Sequence, residues 1–327
     1  MKKIGVLTSG GDTPGMNSAI RAVFKEADAR GMDVMGIFHG YKGLIEGRIR
    51  QLTHEDVANV MHKGGTVLRT ARSSEFMQEG GFERALSMLR AYDIDGLIII
   101  GGDGSYRGAK KLYENGIMTI GLPGTIDNDM GYTDFTIGFT TAVNTITDEI
   151  YKIRDTMRAH DRVGVVEVMG RNCGDIAMKT AMATGAEMLI VPEVEWDVDE
   201  VAARLNRLIE QGNTRATLVI SEHCWDNMKP FDWRKFLNDN GKTVYPGEPI
   251  SAEYLASILK RKCGGAEVRS TVIGYTQRGA QPTAQDSAFA FEAGHQAVQL
   301  LNRGIANQAI GIRHGRVFNM PIIDALS

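Results

Sequence analysis

Two short turns of the sequence have the composition of an anion-binding loop. Gly10-Gly11-Asp12 and Gly101-Gly102-Asp103 each follow a short β-branched run and precede residues with helical periodicity. Helix N-termini offer unpaired N–H groups to anions, and glycine has no Cβ to keep a phosphate away from the backbone. An uncompensated carboxylate beside such a site would repel its ligand, so Asp103 indicates a bound Mg²⁺. For Asp12, with Pro14 close behind, we favour the simpler role of capping the next helix.

The segment PGTIDND at 123–129 carries polar side chains at alternate positions. Thr125, Asp127 and Asp129 follow a predicted buried strand at steps of two, so they should face the same crevice. Two carboxylates close to phosphates need a cation or a proton to offset their repulsion. The arrangement suits phosphoryl transfer, in which one carboxylate takes a hydroxyl proton and another helps to place the cation. The alternative is an Asx-type turn that caps the next segment.

Five arginines lie next to predicted strand ends or turns. A guanidinium is planar, always charged and bidentate, which suits the charge on a transferring phosphoryl group. A single arginine is more often a solvated surface residue, but five of them in a chain of net charge -3 favour anion binding. They are Arg72, Arg162, Arg171, Arg269 and Arg278.

These residues can come together only if the strands that precede them end at the same edge of a sheet. Apolar runs at 4–7, 34–38, 96–100, 118–122 and 163–168 alternate with stretches of helical spacing, one of them near 54–62. The alternation predicts an α/β protein of two doubly wound lobes with mainly parallel sheets. Residues 224–249 break the rhythm and are predicted to be a surface excursion.

Composition excludes several classes of protein. Of 327 residues, 43% are hydrophobic and 24% charged, which is typical of a globular chain. The 37 basic and 40 acidic residues create no overall field to attract nucleic acid or anionic lipid. No apolar run approaches the ~18 residues of a membrane span, and the N-terminal apolar segment is too short for a signal peptide. We therefore expect a cytoplasmic protein without nucleic-acid or membrane partners.

Two common nucleotide-binding motifs fail at specific positions. The spacing from Gly10 to Gly15 is that of a P-loop, but Met16 and Asn17 stand where Lys and Ser or Thr are needed. In the second turn, Arg107 occupies the place of the third Rossmann glycine. A dinucleotide-dependent oxidoreductase is therefore the weaker alternative.

Five motifs together carry a family resemblance. GVLTSGGDTPGMNSAIR, GGDGSYRGA, GLPGTIDND, VVEVMGRNCGD and IGYTQRGAQP occur in this order and closely resemble bacterial ATP-dependent 6-phosphofructokinases, from Lys2 to about Arg303. The resemblance implies transfer of the γ-phosphate of MgATP to the 1-hydroxyl of fructose 6-phosphate, a step of glycolysis. It also implies a homotetramer of phosphofructokinase-like, two-lobed subunits. We expect 1–138 plus about 277–305 to form a nucleotide-binding lobe, and 139–276 plus about 306–327 a sugar-phosphate-binding lobe.

The resemblance further implies a role for each matching residue. Asp127 would be the base for the sugar hydroxyl, with Thr125 beside it. Asp103 and Asp129 would position Mg²⁺. The transferring phosphate would be stabilised by Gly11, Arg72 and Arg171. The ATP site would be lined by Tyr41, Ser73, Gly102, Asp103, Gly104, Ser105 and Gly108. The sugar phosphate would be held by Met169, Gly170, Glu222, Tyr275 and Arg278, with Arg162 and Arg269 reaching it from a neighbouring subunit.

Three positions depart from the family pattern. Tyr275 stands where the family has histidine, Ser73 where it has an aromatic residue, and Ala280 where it has glycine. These changes leave two alternatives open, a kinase for another hexose phosphate and a non-catalytic or regulatory relative. Glycine at 104 and 124 favours ATP over pyrophosphate, because relatives that use pyrophosphate usually carry Asp and Lys there.

The family's effector pocket is partly kept. Its matching residues are Arg21, Lys25, Arg154, Glu187 and Arg215. Basic residues of the family are replaced by His54, Gln211 and Asn213. Because loss of positive charge weakens the binding of a polyanion, we expect a blunted or absent allosteric response.

Overall fold

A computed structural model describes residues 1–231 and 251–327. The strands are β1 (Lys3–Ser9), β2 (Asp33–Ile37), β3 (Ile49–Gln51), β4 (Gly96–Gly101), β5 (Met118–Pro123), β6 (Val163–Val168), β7 (Met188–Ile190), β8 (Thr217–Ser221), β9 (Val268–Val272), β10 (Gln308–Arg313) and β11 (Arg316–Pro321). The helices are α1 (Met16–Ala29), α2 (Gly40–Ile45), α3 (Glu79–Ala91), α4 (Asp103–Glu114), α5 (Phe139–Ala159), α6 (Asp175–Thr184), α7 (Val198–Glu210), α8 (Ala252–Lys262), α9 (Thr276–Gly279), α10 (Ala284–Asn302) and α11 (Ile322–Ala325). Short 3-10 helices span Glu75–Met77 and Cys224–Asn227. Most of the excursion predicted at 224–249 lies outside the described residues.

The larger sheet has seven strands in the order β11-β10-β5-β4-β1-β2-β3. Its central strands are parallel, and only the pairs β2–β3 and β10–β11 are antiparallel. Side chains of β4 alternate between two apolar cores: Ile98 and Ile100 join the core that contains α1 and α10, whereas Leu97 and Ile99 join the one that contains α3 and α4. A strand buried on both faces is apolar throughout, which explains the uninterrupted run at 97–100.

The smaller sheet has four parallel strands in the order β7-β8-β6-β9. Val163 and Val165 of β6 contribute to its apolar core together with residues of α7 and α8. Two mainly parallel sheets with flanking helices confirm the predicted fold class.

The chain divides into two compact units, Met1–Ala142 with Arg278–Ser327 and Val143–Gln277. The assignment of 306–327 to the second lobe was wrong. β10 pairs in parallel with β5 and antiparallel with β11, so this hairpin extends the larger sheet. Ala309 and Ile310 of β10 are fully buried in the two apolar cores of this sheet, which anchors the hairpin to it.

The prediction of a helix near 54–62 was also wrong. This segment forms turns. The carboxylate of Asp56 accepts hydrogen bonds from the amide and the hydroxyl of Thr53 at 2.8 and 2.9 Å and pairs with Arg50. Side chains that bond to nearby backbone groups compete with helix formation. Across the part of the chain that is described, none of the helices has the length and hydropathy of a transmembrane segment.

Candidate active site

Three neighbouring strands of the larger sheet end at the same level. Ser9 at the end of β1 pairs with Gly101 at the end of β4, which in turn pairs with Pro123 at the end of β5. The hydroxyl of Ser105 donates to the carbonyl of Ser9 at 3.3 Å, and the amide of Gly124 donates to the carbonyl of Gly101 at 3.1 Å. Both Gly-Gly-Asp turns and the segment that follows β5 therefore lie along one edge of the sheet.

The second glycine turn leads directly into α4. The helix begins at Asp103 with Gly102 as its N-cap, and no side chain caps the first turn. A Cβ on Gly102 would lie 3.7 Å from the Cβ of Thr125, so the start of α4 borders the segment after β5. The N–H groups of this first turn, the partial positive charge of the helix and the adjacent Thr125 together suit a bound phosphate.

Tyr41 packs beside the second turn of α4. Its hydroxyl donates to the carbonyl of Ser105 at 2.7 Å, and its ring stacks on Phe76 with the centroids 4.0 Å apart. Burial raises the pKa of Tyr41 far above its usual value, so the phenol is a neutral donor. A Cβ on Gly108 would lie 2.6 Å from the Tyr41 hydroxyl. Ser73 is nearby in the chain and accepts a hydrogen bond from the Phe76 amide at 3.3 Å.

Two segments that carry arginines contact the first glycine turn. The hydroxyl of Thr70 donates to the carbonyl of Gly10 at 2.8 Å, which holds the segment leading to the exposed Arg72 against this turn. Nη1 of Arg278 donates to the carbonyl of Asp12 at 3.2 Å and occupies the space that a Cβ on Gly11 would need, 2.6 Å away. Glycine at position 11 therefore makes room for a guanidinium.

The expectation that Asp12 caps α1 was wrong. The helix starts at Met16, and its N-cap is Gly15 with a φ of 106°. Glycine adopts this left-handed conformation without a steric penalty, so the helix begins after Pro14 and Gly15, four residues beyond Asp12.

The segment after β5 holds the two remaining aspartates in different environments. Asp127 is only 4% exposed, and its amide donates to the hydroxyl of Thr125 at 3.1 Å. Asn128 has a left-handed φ of 56°, and its side-chain oxygen accepts the amide of Thr136 at 3.0 Å. Asp129 is exposed. A buried carboxylate and an exposed one, separated by a single left-handed residue, can take separate chemical roles.

The carboxylates at this edge are of the kind that can bind a divalent cation. The Asp103 carboxylate is partly exposed and lies 3.0 Å from the Arg107 guanidinium, and Asp129 is exposed. Within residues 1–231 and 251–327, no group of three or more His, Cys, Asp or Glu side chains could hold a metal ion. Mg²⁺ typically binds through one or two carboxylates, water and substrate phosphates, and the carboxylates of Asp103 and Asp129 are compatible with this ion.

Six of the seven residues predicted to hold the sugar phosphate belong to the second unit, and three of these, Met169, Gly170 and Glu222, lie at the end of β6. The amides of Gly170 and Arg171 donate to Oε1 of Glu222 at 3.1 and 2.8 Å. Gly170 has a φ of 142°, and Arg171 has a left-handed φ of 51°, a conformation unusual for a residue with a side chain. The amide of Met169 donates to the buried side chain of Gln277 at 3.1 Å. Sequence reasoning missed Gln277, although it belongs to the IGYTQRGAQP motif.

A second carboxylate lies close to this turn. Glu167 of β6 accepts the amide of Ala252 at the start of α8 at 3.3 Å. Burial raises the pKa of Glu167, and the charge of Glu222 raises it further. Sequence reasoning missed Glu167 as well, although it is a lone carboxylate in an otherwise apolar strand and belongs to the VVEVMGRNCGD motif.

Arg162 and Arg269 lie at the opposite end of the smaller sheet. Arg162 precedes β6, and Arg269 pairs with Gly164 near its start, whereas Met169 follows its end. The six residues of β6 span about 20 Å, so these two arginines are not grouped with the Glu222 turn of their own chain. Arg269 pairs with Glu267 at 3.1 Å. Tyr275, which follows β9, is 85% exposed.

The predicted effector residues form one cluster in each unit. In the second unit Arg154 lies 3.6 Å from Glu187, which also accepts the side chain of Asn213 at 3.3 Å, and Arg215 lies 3.7 Å from Asp161. In the first unit a guanidinium nitrogen of Arg21 donates to the carbonyl of Val57 at 2.6 Å, and Lys25 is exposed. Nearby carboxylates therefore already neutralise much of the positive charge in the second cluster.

The comparisons with known sequences span the whole chain. The ATP-dependent 6-phosphofructokinase of Alkaliphilus metalliredigens is 47% identical over 327 residues, which cover 100% of this chain and 94% of the relative. The enzyme of the same name from Clostridium tetani is 45% identical with the same coverage.

Solved structures and a family description agree with the sequence comparisons. A phosphofructokinase chain of Saccharomyces cerevisiae superposes with a TM-score of 0.84 at 32% identity, and it covers 100% of this chain while this chain spans 45% of it. A pyrophosphate-dependent phosphofructokinase of Marinobacter aquaeolei shares the fold with a TM-score of 0.82 at 20% identity. The superposition covers 99% of this chain and 84% of the Marinobacter chain. Residues 3–301 match the family described as phosphofructokinase. The chain therefore belongs to the phosphofructokinase family.

Proposed function

We propose that this protein transfers the γ-phosphate of ATP to the 1-hydroxyl of fructose 6-phosphate and releases ADP and fructose 1,6-bisphosphate. The Asp127 carboxylate accepts the hydroxyl proton as the sugar oxygen bonds to the γ-phosphorus. The bond from the γ-phosphorus to the β,γ-bridging oxygen breaks, its electron pair leaves with ADP, and Asp127 returns the proton to water. Because this reaction belongs to glycolysis, we place the protein in the cytoplasm.

The common edge formed by β1, β4 and β5 carries this proposal. The three strands end in register. Gly11, the uncapped first turn of α4 and the buried Asp127 follow the ends of β1, β4 and β5, respectively. Phosphoryl transfer depends almost entirely on positioning and on stabilisation of negative charge. Relatives 45–47% identical over the full chain carry the name ATP-dependent 6-phosphofructokinase, which supports ATP as donor and a 6-phosphosugar as acceptor.

The remaining charges act on the phosphates. Mg²⁺, held by Asp103 and Asp129, would neutralise charge on the β- and γ-phosphates when bound. Arg72 and Arg171 would stabilise the transferring group with bidentate hydrogen bonds. Arg278, whose guanidinium lies at Gly11, would bind the sugar phosphate near this turn. Glu222 is itself anionic, so it orients the 169–171 turn and accepts sugar hydroxyls rather than phosphate.

We further propose a homotetramer in which active sites are shared between subunits. Arg162 and Arg269 lie about 20 Å along β6 from the turn that Glu222 holds. This separation supports a role for the two arginines in the site of another copy.

An assay of donor and acceptor pairs tests the proposed function. Fructose, tagatose and sedoheptulose phosphates are each supplied with ATP or with pyrophosphate, and ADP or phosphate release is measured. We expect one ADP per product, with fructose 6-phosphate and ATP as the best pair. No ADP release with any sugar phosphate would favour the non-catalytic alternative, and a better rate with another sugar would favour the alternative substrate.

Gly104→Asp is expected to raise the KM for ATP at least about tenfold, the equivalent of ~1.4 kcal/mol of repulsion between the new carboxylate and the polyphosphate. A Cβ on Gly104 meets no atom within 4 Å, so the variant should fold. Gly80→Asp is the matched control, because Gly80 is also the second residue of a helix with open space around its Cβ. Steady-state kinetics measure both; equal KM values for the two variants would remove Gly104 from the ATP site.

A weak response to effectors is expected from the charge balance around Arg154. Phosphoenolpyruvate or ADP should shift the half-saturation for fructose 6-phosphate less than about twofold, since Glu187 and Asp161 offset the two arginines of this cluster. Sugar saturation curves with and without each effector provide the measurement. A strong shift by either compound would show that the cluster still binds a polyanion.

A further inference from the structure

The loop that carries Asp127 and Asp129 leaves β5 and returns to the same strand end. It departs after Thr125 and comes back at Thr136, and the next amide, of Ile137, donates to the carbonyl of Pro123 at 2.8 Å. Gly124 and Ile137 also form an isolated parallel bridge. Both ends of the loop are thus fixed side by side, with Thr136 fully buried between them.

Thr136 bonds to the backbone on one side of Asp127 and to a side chain on the other. Its hydroxyl donates to the carbonyl of Thr125 at 2.6 Å, and its amide donates to the side-chain oxygen of Asn128 at 3.0 Å. Asn128 is the left-handed residue that separates the two aspartates. Orientation of the buried carboxylate therefore depends on two groups that a single threonine holds.

The backbone that follows Thr136 is held by a buried carboxylate, that of Asp286. The amide of Gly138 donates to Oδ1 of Asp286 at 3.0 Å, and the amide and hydroxyl of Thr141 donate to its Oδ2 at 2.7 and 2.6 Å. Asp286 is fully buried. A buried network in which these donors and acceptors are paired allows few alternative arrangements.

We propose that Thr136 is a positioning residue for phosphoryl transfer, which fixes the Thr125–Asp129 segment so that the Asp127 carboxylate meets the sugar hydroxyl. This inference rests on the proposed function and adds to it a residue that touches neither substrate. A displacement of about 1 Å at a reacting group can lower turnover 10²-fold. The loss should therefore appear in kcat rather than in the binding of either substrate.

Thr136→Val tests the proposal, because valine keeps the shape and removes the hydroxyl. We expect kcat to fall about 10- to 100-fold, with KM values for ATP and fructose 6-phosphate changed less than about threefold. Thr136→Ser restores the hydroxyl and should recover most of the activity.

Thr119→Val is the matched control. Thr119 is also fully buried and lies on β5, and its hydroxyl donates to the backbone carbonyl of Ala109 at 3.1 Å. Thermal unfolding should show similar losses for the two valine variants. Equal kcat in both would overturn the proposal.

Two further variants keep the test decisive. In Asp127→Asn/Thr136→Val, the second change should add no loss beyond that of Asp127→Asn, because it acts through Asp127; losses that multiply would contradict the proposal. If Thr136→Val does not fold, Asn128→Gly replaces it, since glycine tolerates a φ of 56° and the change removes the side-chain oxygen that accepts from the Thr136 amide. An unchanged kcat in Asn128→Gly would then refute the positioning role. Absence of turnover in the unmodified protein would instead refute the proposed function.

Discussion

Asp127→Asn should lower kcat by about 10²- to 10⁴-fold, the usual contribution of a positioned general base. Asparagine has nearly the shape of aspartate but cannot accept the hydroxyl proton at neutral pH. Asp127 is buried beside Thr125, and the amide of Asp127 already uses the Thr125 hydroxyl as its acceptor, so the substitution should leave this backbone contact in place. Steady-state kinetics with nucleotide titration should show that ATP binding hardly changes.

Asp134→Asn serves as the matched control for this substitution. Asp134 lies in the same loop and accepts the amide of His314 at 2.7 Å, a role that asparagine can also fill. The control should keep nearly all of its turnover. Undiminished turnover in Asp127→Asn would remove Asp127 from the role of base.

Arg269→Ala should raise the KM for fructose 6-phosphate by about 10²-fold while the KM for ATP stays nearly constant. Loss of a charge-assisted hydrogen bond to a phosphate costs about 2–5 kcal/mol when the phosphate is left without its partner. Arg269 is exposed on the edge strand β9 and pairs with the nearby Glu267, so its removal should not unfold the chain. Arg316→Ala, another exposed arginine on an edge strand, is the control. A change confined to the ATP constant would show that the two sites are divided differently.

Mixing two impaired variants, assayed with fructose 6-phosphate far below the KM of Arg269→Ala, tests whether Arg269 acts in another subunit. Asp127→Asn chains keep Arg269, and Arg269→Ala chains keep Asp127. If sites are shared, co-expressed chains form hybrid sites that contain both wild-type residues, and turnover should exceed that of either variant alone. Activity no higher than the average of the two variants would place Arg269 in the site of its own chain.

The order of strands and helices could be predicted because it depends on turn residues and on the spacing of apolar residues within short segments. Glycine turns after buried strands and the uninterrupted apolar run at 97–100 indicated parallel strands with a ligand edge, and the sheets have this form. The errors arose where contacts distant in sequence decide the outcome. Pairing of β10 with β5 joins residues almost 190 positions apart, and no local pattern at 306–327 could show it. At 54–62, Asp56 and Thr53 satisfied their own backbone groups and so prevented the predicted helix.

The site was predictable at the level of motifs but not of contacts. Strand order explains why Gly11, Asp103 and Asp127 share an edge, and parallel connectivity made that expectation reasonable. The placement of Arg278 at Gly11 depends on a segment more than 260 residues away. The proposed role of Thr136 could not be predicted from the sequence either, because it depends on a loop whose two ends lie side by side at the end of β5. Asp12, predicted as a cap, contributes a backbone carbonyl instead.

The central claim is most directly tested by ³¹P NMR of fructose 6-phosphate incubated with ATP, Mg²⁺ and the unmodified protein. We predict that the γ-phosphate resonance of ATP disappears while ADP and a sugar 1-phosphate resonance appear in equal amounts. Release of inorganic phosphate without a new sugar phosphate, or an unchanged spectrum, would contradict phosphoryl transfer to the 1-hydroxyl.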